Sequence, residues 1–210
     1  MKLQVALDRV GIDQALQIVS EIHDVADIIE IGTPMILRDG MLPVRKVKAA
    51  FPQVTLLADT KIIDAGELEA AEAFEAGADI ITVLALAWDV TLQGVAATAR
   101  RYGRRVMADL TCVTDPAGRS ARLDELDIDY ICVHTGVDEQ QSGKTPLDDL
   151  QRVMRVLRHS QAAVAGGISR DTIRAVRLAG AEIVVVGGAV SKAPDKRQAV
   201  LDLKNAMNRG

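Results

Sequence analysis

The chain has 210 residues, 49% of them hydrophobic and only 2% aromatic, with a formal net charge of −4. That length suits a single domain with room for a sizeable core. The mild acidity without any basic block argues against nucleic-acid or membrane-surface binding by bulk electrostatics, and no uninterrupted apolar run is long enough to span a membrane.

Met1-Lys2-Leu3-Gln4 starts directly on a strand without a signal-peptide pattern, so a soluble cytoplasmic protein is expected. Leu3–Leu7 reads as that first strand, ending at Asp8. Ile12–Ile22 repeats apolar residues at helical spacing. Asp27–Ile31 is a second strand, punctuated by Gly32-Thr33-Pro34. Met35–Ala50 is interrupted at Gly40, and Leu42–Ala50 reads as helix. Val54–Ala58 is an apolar third strand and Ala65–Ala76 its helix, closed by Gly77.

The same rhythm continues through strand Ile80–Leu84, helix Val90–Tyr102, strand Arg105–Leu110 and helix Pro116–Leu126. Strand Tyr130–Val133 ends at His134. Helix Thr145–Leu157, strand Ala162–Ala165, helix Asp171–Ala179, strand Ile183–Val186 and helix Pro194–Met207 complete the chain. Phe74-Glu-Ala-Gly-Ala-Asp-Ile-Ile and Leu178-Ala-Gly-Ala-Glu-Ile-Val-Val are near copies, each a helix end, a glycine stop and a new strand. Eight alternating units predict an α/β fold, a single (β/α)8 TIM barrel over residues 1–210. A doubly wound open sheet is the other arrangement, but no GxGxxG follows the first strand. Cys112 and Cys132 lie in or beside apolar runs without metal-type spacing and read as reduced core or near-core thiols.

Barrel active sites lie at the C-terminal ends of the strands. Those ends carry Asp8, Glu30, Asp59 with Lys61, Asp109 and His134. Alternation along a strand puts Asp59 and Lys61 on one face. Asp64 follows at the turn into the next helix, where it could cap free N–H groups. Glu30, in the apolar run Ile28–Ile31, needs a cation. Lys61 could supply it; Mg²⁺, which favours carboxylate oxygens, is the preferred reading. Trp88 opens the loop after strand four, where packing is its simplest role. Strands seven and eight run into Gly166-Gly167 and Gly187-Gly188, and matched glycine pairs there suit close backbone approach to a phosphate.

Asp59-Thr-Lys61-Ile-Ile-Asp64 resembles the Asp-x-Lys-x-x-Asp motif of the orotidine monophosphate decarboxylase suprafamily. Within it, Ile29-Glu-Ile-Gly-Thr-Pro34, Val133-His-Thr-Gly-Val-Asp-Glu-Gln140 and the two glycine pairs resemble the 3-hexulose-6-phosphate synthases, over essentially the whole chain. The resemblance implies a Mg²⁺-dependent barrel homodimer. Its reaction would join formaldehyde to the phosphorylated ketose D-ribulose 5-phosphate, giving D-arabino-hex-3-ulose 6-phosphate. It further implies that Glu30 and Asp59 belong to the metal site and that Asp8 and Lys61 contact the substrate or enediolate. Asp64 would serve the partner subunit's site, and Asp109 would be an acid facing the substrate. His134 would move protons, and Gly166, Gly167, Gly187 and Gly188 would hold the phosphate. The sister 3-keto-L-gulonate 6-phosphate decarboxylases typically carry Arg after the second glycine pair, where this chain has Ala189. A non-catalytic sugar-phosphate barrel is the remaining reading. Thr111-Cys112-Val113 matches no family pattern, and the isomerase domain fused to some synthases is not expected here.

Overall fold

A computed structural model describes residues 1–208. Its elements are β1 (Lys2–Leu7), α1 (Ile12–Ile22), β2 (Ile28–Ile31), α2 (Thr33–Asp39), α3 (Leu42–Ala50), β3 (Leu56–Ile62) and α4 (Gly66–Glu75). There follow β4 (Ile80–Leu84), α5 (Asp89–Tyr102), β5 (Arg105–Asp109), α6 (Pro116–Glu125), β6 (Tyr130–His134), α7 (Val137–Gln140) and α8 (Leu147–Met154). The chain finishes with β7 (Gln161–Ala165), α9 (Ile173–Leu178), β8 (Ile183–Val186), α10 (Gly188–Ser191) and α11 (Lys196–Asn208).

The eight strands are parallel and close in sequence order, β8 pairing back onto β1 through Lys2↔Ile183 to Val5↔Val186. Strands buried on both faces need apolar residues at nearly every position, which is why they read as continuous runs. One face of each strand packs against the helices, around Leu3, Ile29, Leu56, Ile81, Val133 and Val184. The other fills the barrel with a smaller set that includes Ala6, Leu57, Met107, Cys132, Ala163 and Val185. The repeated helix-to-strand unit appears as expected, with Gly77 and Gly180 at φ 106° and 97°, a conformation that costs glycine little.

Several boundaries move. Thr33–Asp39, Val137–Gln140 and Gly188–Ser191 form short helices inside segments read as connections. Helix Asp171–Ala179 begins two residues late, because Ser169 and Thr172 bond to each other in a turn. Strand three is longer than its apolar run and continues through Ile62. Asp64 does not cap α4: the position before that helix is Ala65 in a left-handed conformation, without a side-chain cap. Cys132 is buried, but Cys112 is exposed at φ 65°, so the near-core reading fails for it. Trp88 does not pack in its loop; it is 80% exposed. No helix among the described residues is long and apolar enough to cross a membrane.

Candidate active site

The site is built around an irregularity in β3. Leu57 and Ala58 pair with Ile80 and Ile81, and Ile62 pairs with Val83, so Asp59, Thr60 and Lys61 face Thr82 alone. Such a bulge re-aims side chains. Thr82 and Thr60 satisfy the displaced backbone: Lys61 N–H donates to Thr82 Oγ1 at 2.9 Å, and Thr60 Oγ1 donates to Thr82 O at 2.7 Å. Lys61 itself sits at φ 48°, an uncommon conformation for a residue with a Cβ. Asp59 and Lys61 therefore meet as expected, but through this bulge instead of simple strand alternation.

Lys61 Nζ donates to Asp59 Oδ1 and Oδ2 at 2.9 and 2.8 Å and to Asp109 Oδ2 at 2.9 Å. Burial works against its charge, but the two carboxylates outweigh that and raise its pKa above the ordinary lysine value. Asp59 also accepts from Thr82 Oγ1 at 2.7 Å and Thr33 Oγ1 at 2.7 Å. Lys61 is thus committed to Asp59 and Asp109, not to Glu30.

Asp109 is the hub on the other side. His134 Nδ1 lies 2.9 Å from Asp109 Oδ2, and Thr111 donates from both N–H (2.9 Å) and Oγ1 (2.6 Å) to Oδ1. Burial opposes ionisation, but His134, Lys61 and Thr111 prevail and hold Asp109 well below the usual carboxylate range. An ionised carboxylate only accepts, so Nδ1 carries the hydrogen and Nε2 is left as the basic nitrogen. Thr111, in the loop without a family pattern, holds this pair in place.

Glu30 lies inside the barrel wall and accepts from Gln4 Nε2 at 2.6 Å. Burial, reinforced by the nearby charge of Asp59, pushes its pKa up to about 8. Asp8 is half-buried, and burial followed by Asp59 raises its pKa too. It is wedged between two turns. A Cβ at Gly32 would collide with its carboxylate, and one at Gly187 would lie 3.4 Å from its Oδ2.

Three carboxylates crowded near one end of the barrel favour a cation. Among the described residues no group of three or more His, Cys, Asp or Glu is arranged to hold a metal alone. A cation here would rest on Glu30 and Asp59 and complete its shell with water and ligand oxygens, as Mg²⁺ characteristically does. Glu30 fits without rearrangement. Asp59 already uses four acceptor positions, so it fits once Lys61 retains Asp109 alone.

The glycine pairs differ in role. Gly166 (φ 98°) exists for packing, because a Cβ would strike Thr135 O. Gly167 is exposed at φ 68°. The N–H groups of Gly167, Ile168, Gly188 and Ala189 have no backbone partner among the described residues, so donors from two neighbouring loops are available to an anion. Asp64 is exposed and makes no hydrogen bond among the described residues, so the structure does not bring it into its own chain's cluster. Gln4, Thr33, Thr82 and Thr111 also hold the cluster together, and no motif assigns them to the site. Gln4 and Thr82 carry one usable signal, a polar residue inside an apolar strand.

A family profile described as "Orotidine 5'-phosphate decarboxylase / HUMPS family" matches residues 1–203. The chain is 40% identical over 210 residues, covering 100% of both sequences, to 3-hexulose-6-phosphate synthase of Bacillus subtilis (strain 168). The crystal structure of 3-hexulose-6-phosphate synthase from Salmonella typhimurium matches with TM-score 0.95 and 38% identity, over 99% of this chain and 98% of that one. 3-Keto-L-gulonate-6-phosphate decarboxylase from Vibrio cholerae O1 biovar El Tor matches with TM-score 0.86 and 25% identity, over 99% and 97%.

Proposed function

The chain belongs to the orotidine 5'-phosphate decarboxylase / HUMPS family, and from that membership we propose that it is a 3-hexulose-6-phosphate synthase. It is a lyase that joins formaldehyde to D-ribulose 5-phosphate. The observation that carries this reading is the higher full-length identity to the synthases than to the decarboxylase. Ala189, in place of the decarboxylases' arginine, points the same way.

The chemistry asks for removal of a proton beside the ketose carbonyl and stabilisation of the enediolate that results. His134 Nε2, freed by the Nδ1–Asp109 contact, takes the proton. Lys61, kept charged by Asp59 and Asp109, donates to the developing oxyanion. Glu30 and Asp59 would hold Mg²⁺, which supplies Lewis-acid stabilisation of the same charge. Asp8 receives substrate hydroxyls. The N–H groups of Gly167, Ile168, Gly188 and Ala189 bind the phosphate and so fix the reacting carbon relative to His134. The enediolate carbon then attacks formaldehyde, forming the new C–C bond as the C=O π bond breaks, and the resulting alkoxide takes up a proton to become the hydroxymethyl group.

The protein works as a cytoplasmic homodimer in this reading. Gly66 packs on Thr91 and Val95, which brings the starts of α4 and α5 together. Near those starts Leu68 (65%), Val90 (73%) and Trp88 (80%) are exposed, on the flank that carries Asp64. Such a patch suits a partner subunit, and Asp64 would cross to the partner's mouth.

Purified protein with ribulose 5-phosphate, Mg²⁺ and formaldehyde should consume formaldehyde, and it should exchange the substrate's C1 proton with solvent. CO₂ release from 3-keto-L-gulonate 6-phosphate without formaldehyde consumption would instead establish the decarboxylase. Binding without proton exchange would establish a non-catalytic barrel.

A further inference from the structure

A cavity of about 590 Å³ opens at the end of the barrel opposite the candidate active site. It is lined at the N-terminal ends of the strands by Lys2, Asp27, Asp79, Arg104, Arg105 and Tyr130. In barrels of this kind the chemistry lies at the other face, so nothing in the proposed reaction uses this one.

Its charge is opposite to that of the chain. Each acid here already has a cation: Asp27 pairs with Lys204 at 2.9 Å, Asp79 with Lys48 at 2.6 Å and with Arg104, and Asp129 with Arg105 at 3.2 Å. Lys2 makes no ion pair among the described residues, and the lining itself carries three cations, Lys2, Arg104 and Arg105, against two acids, Asp27 and Asp79, on a protein of net −4. The guanidinium groups keep spare donors. Arg104 reaches Asp79 through Nη1, and Arg105 reaches Asp129 through Nη1. Each of these side chains carries five N–H donors in a planar fork suited to phosphate.

The independent observation is Tyr130. It is 4% exposed, it lines the cavity, and its hydroxyl makes no hydrogen bond among the described residues. The Arg105 guanidinium lies 5.9 Å from its ring centroid. The hydroxyl is not among the sealed side-chain atoms that lack a partner, so it reaches accessible space, and the space Tyr130 borders is this cavity. The volume is within the range of small-molecule sites.

We propose that this cavity is a second anion site, for a small phosphate-bearing ligand held by Lys2, Arg104, Arg105 and the Tyr130 hydroxyl. Inorganic phosphate is the probe, followed by amide NMR of the full-length protein in a Gly188→Val background that blocks the catalytic phosphate site. The expected result is saturable shifts at Lys2, Gly103, Arg104 and Arg105. Lys2→Gln with Arg105→Gln should weaken them at least tenfold; both side chains are exposed at the surface, so the fold should survive. Tyr130→Phe should also weaken binding severalfold while leaving the melting temperature unchanged, which a packing role for the hydroxyl would not do. Shifts that never saturate, or that are equal in all variants, mean an adventitious ion only and overturn the proposal. Saturable binding of malonate but not phosphate would overturn the phosphate assignment.

Discussion

His134 Nδ1 rests 2.9 Å from Asp109 Oδ2, on a carboxylate that Lys61 and Thr111 also hold in its ionised form. The contact decides which ring nitrogen is basic. Asp109→Asn should let the amide present either a donor or an acceptor to Nδ1, losing the tautomer. Turnover should fall by about 10²–10⁴-fold, the scale of a positioned general base, with a smaller change in KM. Unchanged turnover would remove His134 from proton transfer. Asp109 also links pH to stability. Its folded pKa is depressed, so its contribution is complete above the unfolded value of about 3.9 and is lost as pH falls through the folded value. Acid titration of wild type and D109N by circular dichroism should converge only below about pH 4.

Glu30 carries the opposite sign. Its folded pKa near 8 exceeds the unfolded value, so the metal-free fold should lose stability as pH rises from about 4.3, with the loss complete above the folded value. Glu30→Gln should therefore raise the melting temperature of chelator-treated protein at pH 8.5 by a few degrees, the scale of about 1 kcal/mol in a domain this size. Adding Mg²⁺ should raise wild type and leave the variant nearly unmoved. The same chelation should abolish turnover and Mg²⁺ restore it; full activity in excess chelator would sink the metal assignment.

Gly188 has no positive φ, and a Cβ there would meet only Lys192 at 3.7 Å or more. Gly188→Val should fold normally yet obstruct the backbone donors, raising KM by tenfold or more with a smaller effect on kcat, as loss of ground-state binding does. Gly167→Val should do the same with an added stability loss from its φ of 68°. Normal KM in both variants would move the phosphate elsewhere.

Asp64 lies exposed, and Ala65 occupies the position before α4 that a cap would need. Mixing inactive Lys61→Ala chains with inactive Asp64→Ala chains tests whether sites are shared. Random exchange makes roughly half the dimers mixed, and each mixed dimer regains one intact site, so activity should recover to about a quarter of wild type. No recovery despite verified exchange would confine Asp64 to its own chain or place it outside catalysis.

The sequence by itself determined the barrel and the roster of reactive groups. Parallel strands buried on both faces leave nearly continuous apolar runs, unbroken in Ile183–Val186, and polar residues at the ends of such runs mark the mouth. Only the tertiary structure decided how those groups pair. Lys61 and Asp109 lie 48 residues apart and Gln4 and Glu30 lie 26 apart, and no local pattern encodes such distances. The β3 bulge was hidden for a related reason: a threonine in a strand is ordinary by propensity, so Thr82 gave no sign that it would face three residues. The cavity beneath Tyr130 was invisible because its lining comes from the starts of separate strands, brought together only when β8 closes on β1.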